Sequence, residues 1–554
     1  MKNSVGLVLF VAVFTSFSAA IAGMVTHDYF FDQPVVTWMD DGQWITMRDC
    51  RTGGMPGAPA LPSYGVRLLL PPGEGIESVR IIAGERRLLG AEFMIPQNQY
   101  QVPLSFTGPY EKVAPNPDIY ESNRAYPYEF NSKPFAQGYC GHTIGFFTLN
   151  PISYNPVTGE VWWYSQMRVE IVTRPESEAQ VRLGTLYYRD DRIQGTLERW
   201  VDNTETIGLY PPVQQTRQEE YDMVIITNAA LQSTFQTYAD LKNRRGIRTF
   251  VQTTEWIYAN VSGSDNQAKI RNYIIECYTS YHIQYVLLGG DGDASGAGRI
   301  IPHRGVYARS HYGGGDITDT NLPCDLYYGG LDGTWNTDGD GQYGEETPEE
   351  ADFIAEVHVG RASVDDVTEA NRFINKHTMY QRTPVVGDCD GNGILFAGEL
   401  LWDDVPGVWT FGDTYMQEVR WGSSNHGYTT VGVDEPAIAD TLYDRPFYPG
   451  EWSAMTHLRP KLNDGCNVLH HLGHCSETYM ARFYDTQITD ANLTNNGTNH
   501  NFYIMYSQGC YPGSFEYNDC ITEKWTVGIN NGAVAAVTNS RYGWGYHMST
   551  RGSS

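Results

Sequence analysis

From Tyr221 onward the chain repeats one pattern: a short run of apolar residues closed by Gly, Asp or a polar turn, then a stretch with helical spacing. "MVIIT" (223–227) is followed by "ALQSTFQTYADLKNRRG", "RTFVQT" (248–253), "NQAKIRNYIIECYTSY" and "YVLLGGD" (285–291). Later come "IAEVHVG", "ILFAGEL", "NVLHHLG", "FYIMYSQG" and "AVAAVTN". Runs so uniformly apolar suit strands buried on both faces, and intervening helices make those strands mainly parallel, with helical cover on each side. In such a sheet, chemistry gathers at the C-terminal ends of the strands.

Before Tyr210 the texture differs. Alternating runs such as "VRLLL", "SVRIIAG" and "VWWYSQMRVEIVTR", separated by Pro, Gly and Asn, predict an all-β, antiparallel domain. The polar, proline-marked "YPPVQQTRQEE" (210–220) reads as a linker, which puts the domains at 23–217 and 218–554. Lys2, an apolar run and the small-residue end Ala20-Ile21-Ala22 make 1–22 an expected signal peptide, cleaved before Gly23. No later segment is apolar for about 18 residues, so export without a membrane span, to a secreted or cell-surface location, is expected.

A net charge of −27, with no long basic run, excludes a phosphate-binding stripe and hence nucleic acid. It suits solubility, divalent cations or a positively charged substrate. Nine cysteines in 554 residues are too few for a disulfide framework, and the odd count leaves at least one thiol free.

"VLHHLGHCSE" (468–477) concentrates three histidines and a cysteine. His470 and His474 have the i, i+4 spacing of helical zinc ligands, but "NVL" before them favours a strand, where residues four apart stand about 13 Å from each other. A metal at this stretch is therefore disfavoured. His474 and Cys475 are neighbours, and neighbours in an extended chain point to opposite faces. The better partner lies 36 residues on, where "FYIMYSQGC" repeats the design of an apolar strand, a Gly and a reactive residue, Cys510. That spacing allows a crossover to the adjacent parallel strand, setting His474 beside Cys510 at one sheet edge. An imidazole beside a thiol generates a thiolate nucleophile, and the backbone N–H groups of Cys475 and Cys510 are candidates for an oxyanion hole.

"GHCSETYM", "SQGCYPGSFEYNDCITEKW" and "GAVAAVTNSRYGW", together with "YDMVIIT", "LKNRRGIRT" and "YVLLGGD" in order, resemble the gingipain-type cysteine peptidases. The resemblance covers roughly 220 to 554 and implies a caspase-like fold, catalytic His474 and Cys510, and protein or peptide substrates. It maps the family's supporting carboxylate to Glu399, expected to orient the imidazole. It also maps the aspartate of members that prefer a basic P1 residue to Asp413 in "FGDTYMQEV". The 23–217 region is then a pro-domain, and Arg217 a self-processing site. Two departures stand out: Cys475 replaces the family's Gly after the histidine, and the family domain normally continues beyond "STRGSS", so that 218–554 reads as incomplete at its C-terminus.

"DGTWNTDGDGQYGEE" (332–346) spaces Asp332, Asn336, Asp338, Asp340 and Glu345 among glycines, as a loop wrapping a structural Ca²⁺ does. "DCDGNGILFAGE" (388–399) fits the EF-hand loop spacing, but a strand follows its Gly393 and Glu399 is already assigned; Asp388, Asp390 and Asn392 are left as a half-site. The leading expectation is a secreted cysteine endopeptidase made as a zymogen, cleaving after Arg or Lys if Asp413 lines the primary pocket, with no catalytic cofactor. The competing one is an inactive, calcium-stabilised surface or adhesive protein that keeps the fold; a metallopeptidase ranks third.

Overall fold

The computed structural model describes residues 19–546 except 22, 40, 109, 213–220, 297–298, 313–314, 347–350, 387, 389–392, 406–407, 425 and 434–436. Of the expected signal peptide only Ala19–Ile21 is described, as a strand paired antiparallel with Met24–Thr26. Arg217, Asp390 and Asn392 lie outside the described residues.

Two compact units are present, and they are not contiguous in sequence: residues 54–59 and 97–116 belong with 214–554, and the remainder up to Val213 forms the other unit. The first unit is mainly antiparallel. One sheet joins Met24–Phe30, Gln166–Pro175 and Glu74–Ala83, and another joins Phe135–Tyr139, His142–Leu149, Leu61–Leu69 and Cys50–Gly53. Alternation along these strands delivers Val25, Val169 and Ile171 from one sheet, and Val66, Leu68, Phe147 and Leu149 from the other, to a common core. The all-β expectation needs correction, because helices Ser177–Thr185 and Asp191–Trp200 follow the last strand. The second starts where Asp190 accepts the N–H groups of Arg192 and Ile193, and it buries Ile193 and Leu197 one turn apart.

In the second unit the parallel strands fall into two sheets. Strands β1 (Met223–Thr227), β2 (Thr249–Thr253), β3 (Tyr285–Gly289) and β4 (His358–Ala362) form the first, in the order β2-β1-β3-β4. Strands β5 (Ile394–Gly398), β6 (Ile438–Tyr443), β7 (Val468–Leu472), β8 (Tyr503–Ser507) and β9 (Ala533–Thr538) form the second, in the order β6-β5-β7-β8-β9. All their pairings are parallel. Val224, Ile225 and Ile226 are wholly buried, each side chain contributing about 1.5–3 kcal/mol of hydrophobic stabilisation. Helices α1 (Gln232–Asn243) and α3 (Val367–Arg382) follow β1 and β4, and α2 (Asn266–Tyr281) follows the short helix Thr254–Asn260; Asp265 and Asp366 cap α2 and α3 with their carboxylates.

β5 has β6 on one side and β7 on the other, so the chain direction of the connections switches there. The C-terminal ends of β5, β7 and β8 lead directly into Glu399, His474 and Cys510.

Candidate active site

β7 and β8 are hydrogen-bonded neighbours with His471 opposite Ser507, as the 36-residue spacing predicts. His474 and Cys510 each follow three residues beyond that matched pair. Strand alternation separates the two histidines of "HH". His470 packs between Phe396 (ring centroids 5.2 Å apart, tilted) and Tyr506 (4.9 Å, edge to face), its partners on the two flanking strands. His471 faces the other way and is 1% exposed.

Glu399, itself 1% exposed, sits between the histidines. Its Oε2 accepts the His474 backbone N–H at 3.1 Å, and its Oε1 lies 3.0 Å from His471 Nε2 and 3.8 Å from Arg482 Nε. Burial opposes its charge, but the His471 hydrogen bond and the Arg482 guanidinium outweigh burial and hold the carboxyl below its usual range. Glu399 thus meets His474 through the main chain, and the ring it touches is that of His471, a residue the sequence reading passed over. The His474 ring instead places Nε2 3.2 Å from the Leu400 carbonyl. A carbonyl only accepts, so Nε2 carries a proton, and in the neutral imidazole Nδ1 holds the lone pair. Nδ1 has no hydrogen-bond partner among the described residues.

Cys510 is 1% exposed, and its Sγ donates to the Gly543 carbonyl at 3.7 Å. The same carbonyl accepts the Leu104 N–H at 2.8 Å. Gln101–Pro103 lies antiparallel against Trp544–Tyr546, and Val102 and Leu104 share a buried cluster with Cys510, Leu472 and Trp402. An extended segment from early in the chain therefore covers the thiol. The backbone N–H groups of Cys475 and Cys510 have no hydrogen-bond partner among the described residues.

The Cys475 side chain turns inward, its Sγ 3.6 Å from Ser507 Oγ and 3.9 Å from His471 Nδ1. Burial, then the charge of Glu399, pushes this thiol well up, so it stays protonated. A Cβ on Gly509 would collide with Cys475 Sγ, and one on Gly473 would collide with the Glu399 carboxylate. No disulfide joins the eight described cysteines.

Asp413 lies in the first turn of α4 (Gly412–Trp421) and is buried. Its carboxylate is held bidentately by Arg445 at 2.7 and 2.8 Å. The acidic loop divides in two: Asp332 groups with Asp352 and Glu356, and Asp338 with Asp340 and Glu345, each set with carboxylate oxygens within 4.8 Å. Asn336 instead accepts the Gly339 N–H. Asp291, Asp293 and Asp365 make a third such group. Asp388 accepts the Asn501 N–H at 2.7 Å and pairs with His500.

The sequence model of peptidase family C25 matches residues 216–553. Gingipain R1 of Porphyromonas gingivalis is 27% identical over 179 residues, which cover 31% of this chain and 17% of that protein's length. The solved structure of the Arg specific cysteine proteinase gingipain R (RgpB) matches 60% of this chain and 65% of its own, at 20% identity and a TM-score of 0.40. The complex of Porphyromonas gingivalis RgpB pro- and mature domains matches 58% and 64%, at 19% identity and a TM-score of 0.39.

Proposed function

The chain belongs to peptidase family C25, and from that premise we propose that it is an exported cysteine endopeptidase, made as a zymogen, that hydrolyses peptide bonds through His474 and Cys510. Supporting this reading above all is the pair of parallel strands β7 and β8, whose matched ends carry a histidine with its Nδ1 lone pair uncommitted and a buried thiol. Nδ1 takes the Cys510 proton, the thiolate attacks the substrate carbonyl, and the uncommitted N–H groups of Cys475 and Cys510 stabilise the oxyanion. The imidazolium then gives its proton to the leaving amine, and water releases the acyl group by the reverse sequence.

Latency is proposed on the 101–104 segment, which pairs with Trp544–Tyr546 and engages the carbonyl that holds the Cys510 thiol. Activation requires that segment to leave, and cleavage at Arg217 is the proposed trigger. Gingipain R is described as Arg specific; for this chain, cleavage after Arg or Lys rests on Asp413. A structural calcium ion in the 332–345 loop is proposed on the carboxylate groups there.

The test is hydrolysis of short peptides differing only at P1, before and after limited proteolysis, with wild type and Cys510→Ala compared in calcium and in chelator. Activity that rises on proteolysis and disappears in Cys510→Ala is expected, with a lower melting temperature in chelator. Folded wild type that neither hydrolyses any peptide nor reacts with a thiol-directed substrate mimic at Cys510 would instead favour an inactive surface protein. No helix among the described residues is long and apolar enough to cross a membrane.

A further inference from the structure

Beneath the reacting groups runs a chain of hydrogen bonds that the peptidase chemistry does not itself use. The Gly509 N–H donates to Ser507 Oγ at 3.3 Å, and Ser507 Oγ is 2.8 Å from His471 Nδ1. His471 Nε2 is 3.0 Å from Glu399 Oε1, and Glu399 Oε2 accepts the His474 N–H at 3.1 Å. We infer that His471 and Ser507 are positioning residues that lock the histidine loop to the nucleophile loop through Glu399. This rests on the reading of His474 and Cys510 as the catalytic pair.

The polarity of the chain is dictated by its ends. Glu399 is held ionised and only accepts, so His471 Nε2 carries a proton, and in the neutral imidazole Nδ1 is then the acceptor. The Ser507 hydroxyl must then donate to Nδ1, which leaves its lone pairs to receive the Gly509 N–H. Each donor meets one acceptor, at residues that are 1% (Glu399, His471) and 2% (Ser507) exposed. An unmade bond at such depth is costly, so the chain specifies one arrangement.

The two loops also approach too closely for side chains to hold them apart or together. Gly473 leaves room only for the Glu399 carboxylate, and Gly509 only for the Cys475 thiol. Cys475 fills the remaining side of the chain, against both His471 and Ser507. The residue that departs from the family's glycine is thus accommodated by the positioning network rather than set against the oxyanion donors' acceptor site.

The test combines Ser507→Ala and Ser507→Thr with a measurement on wild type. In Ser507→Ala, kcat should fall about tenfold or more with KM within about twofold, because the reacting groups are present but misplaced. Amide exchange at His474 and Gly509 should accelerate, and Ser507→Thr, which keeps the hydroxyl, should restore kcat to within about threefold. In wild type, ¹⁵N shifts should show His471 protonated at Nε2 and bare at Nδ1. The opposite tautomer overturns the proposal even if the alanine variant does not fold. So does a folded Ser507→Ala with wild-type kcat and unchanged exchange at His474, or an equal loss in both variants that tracks melting temperature. Should wild type prove inert toward every peptide, the catalytic reading fails, while the tautomer and the exchange at His474 and Gly509 still decide whether the lock exists.

Discussion

A carboxylate can hold one guanidinium bidentately, and Asp413 already does. Arg445 lies over the Phe411 ring at 4.5 Å, donates to Thr414 Oγ1 at 2.9 Å, and closes its fork on Asp413. The family resemblance implies Asp413 as the partner of a basic P1 side chain, and such a side chain has to displace an intramolecular arginine that is pre-positioned at no translational cost. Half the surface of the Arg445 side chain is exposed, so it can swing away, but its departure opposes binding. Arg445→Gln should therefore raise kcat/KM for Arg at P1, relative to a neutral P1, by about tenfold, equivalent to about 1.4 kcal/mol. Unchanged selectivity in an active Arg445→Gln enzyme places Asp413 outside the specificity pocket.

At the level of elements, α3 is tied to the second sheet by a buried lysine. Lys376 Nζ donates to the carbonyls of Trp525 (3.1 Å), Thr526 (3.0 Å) and Ala533 (3.2 Å), the first two in the π-helical turn Lys524–Gly528 and the third at the start of β9. Lys376→Met keeps the apolar stem and removes the donors, stranding three carbonyls; a loss of about 3 kcal/mol in unfolding free energy is expected by denaturant titration. A loss under about 0.5 kcal/mol means that water reaches those carbonyls. The strands that this tie joins were legible in the sequence, because apolar runs such as "MVIIT" and "AVAAVT" admit few alternatives and their spacing demands crossovers. Their division into two sheets was not, since strand order depends on which edges meet in space. Alternation told that His470 and His471 face apart, but not which faced Glu399, 72 residues away. Asp413 and Arg445 likewise meet across 32 residues with no local periodicity to announce it. The covering segment around Val102 reads as one more short strand, and only its pairing with Trp544–Tyr546 separates it from the rest of the N-terminal region.

Across the whole molecule, both units bury histidines that stay neutral when folded. Burial pushes His142 in the first unit, and His377 and His470 in the second, down to about 4. A histidine lowered by folding binds fewer protons in the native state than in the unfolded chain between about pH 4 and 6.5, so stability falls as pH drops through that window. Each site costs about 2 kcal/mol by pH 5. The net charge of −27 pulls the other way, because protonating carboxylates relieves repulsion. Ordinary carboxylates take up protons mainly below pH 4.5, however, so the histidines act first. Asp291, which burial raises to about 7, opposes them: its contribution is present at low pH and is lost as pH rises through 7. The opposing groups are separable by substitution. Urea midpoints should fall from pH 7 to pH 5 in wild type, and His142→Gln and His377→Gln, which cannot take up the proton, should each flatten that fall. Variants that keep the full wild-type slope would assign acid sensitivity to other groups.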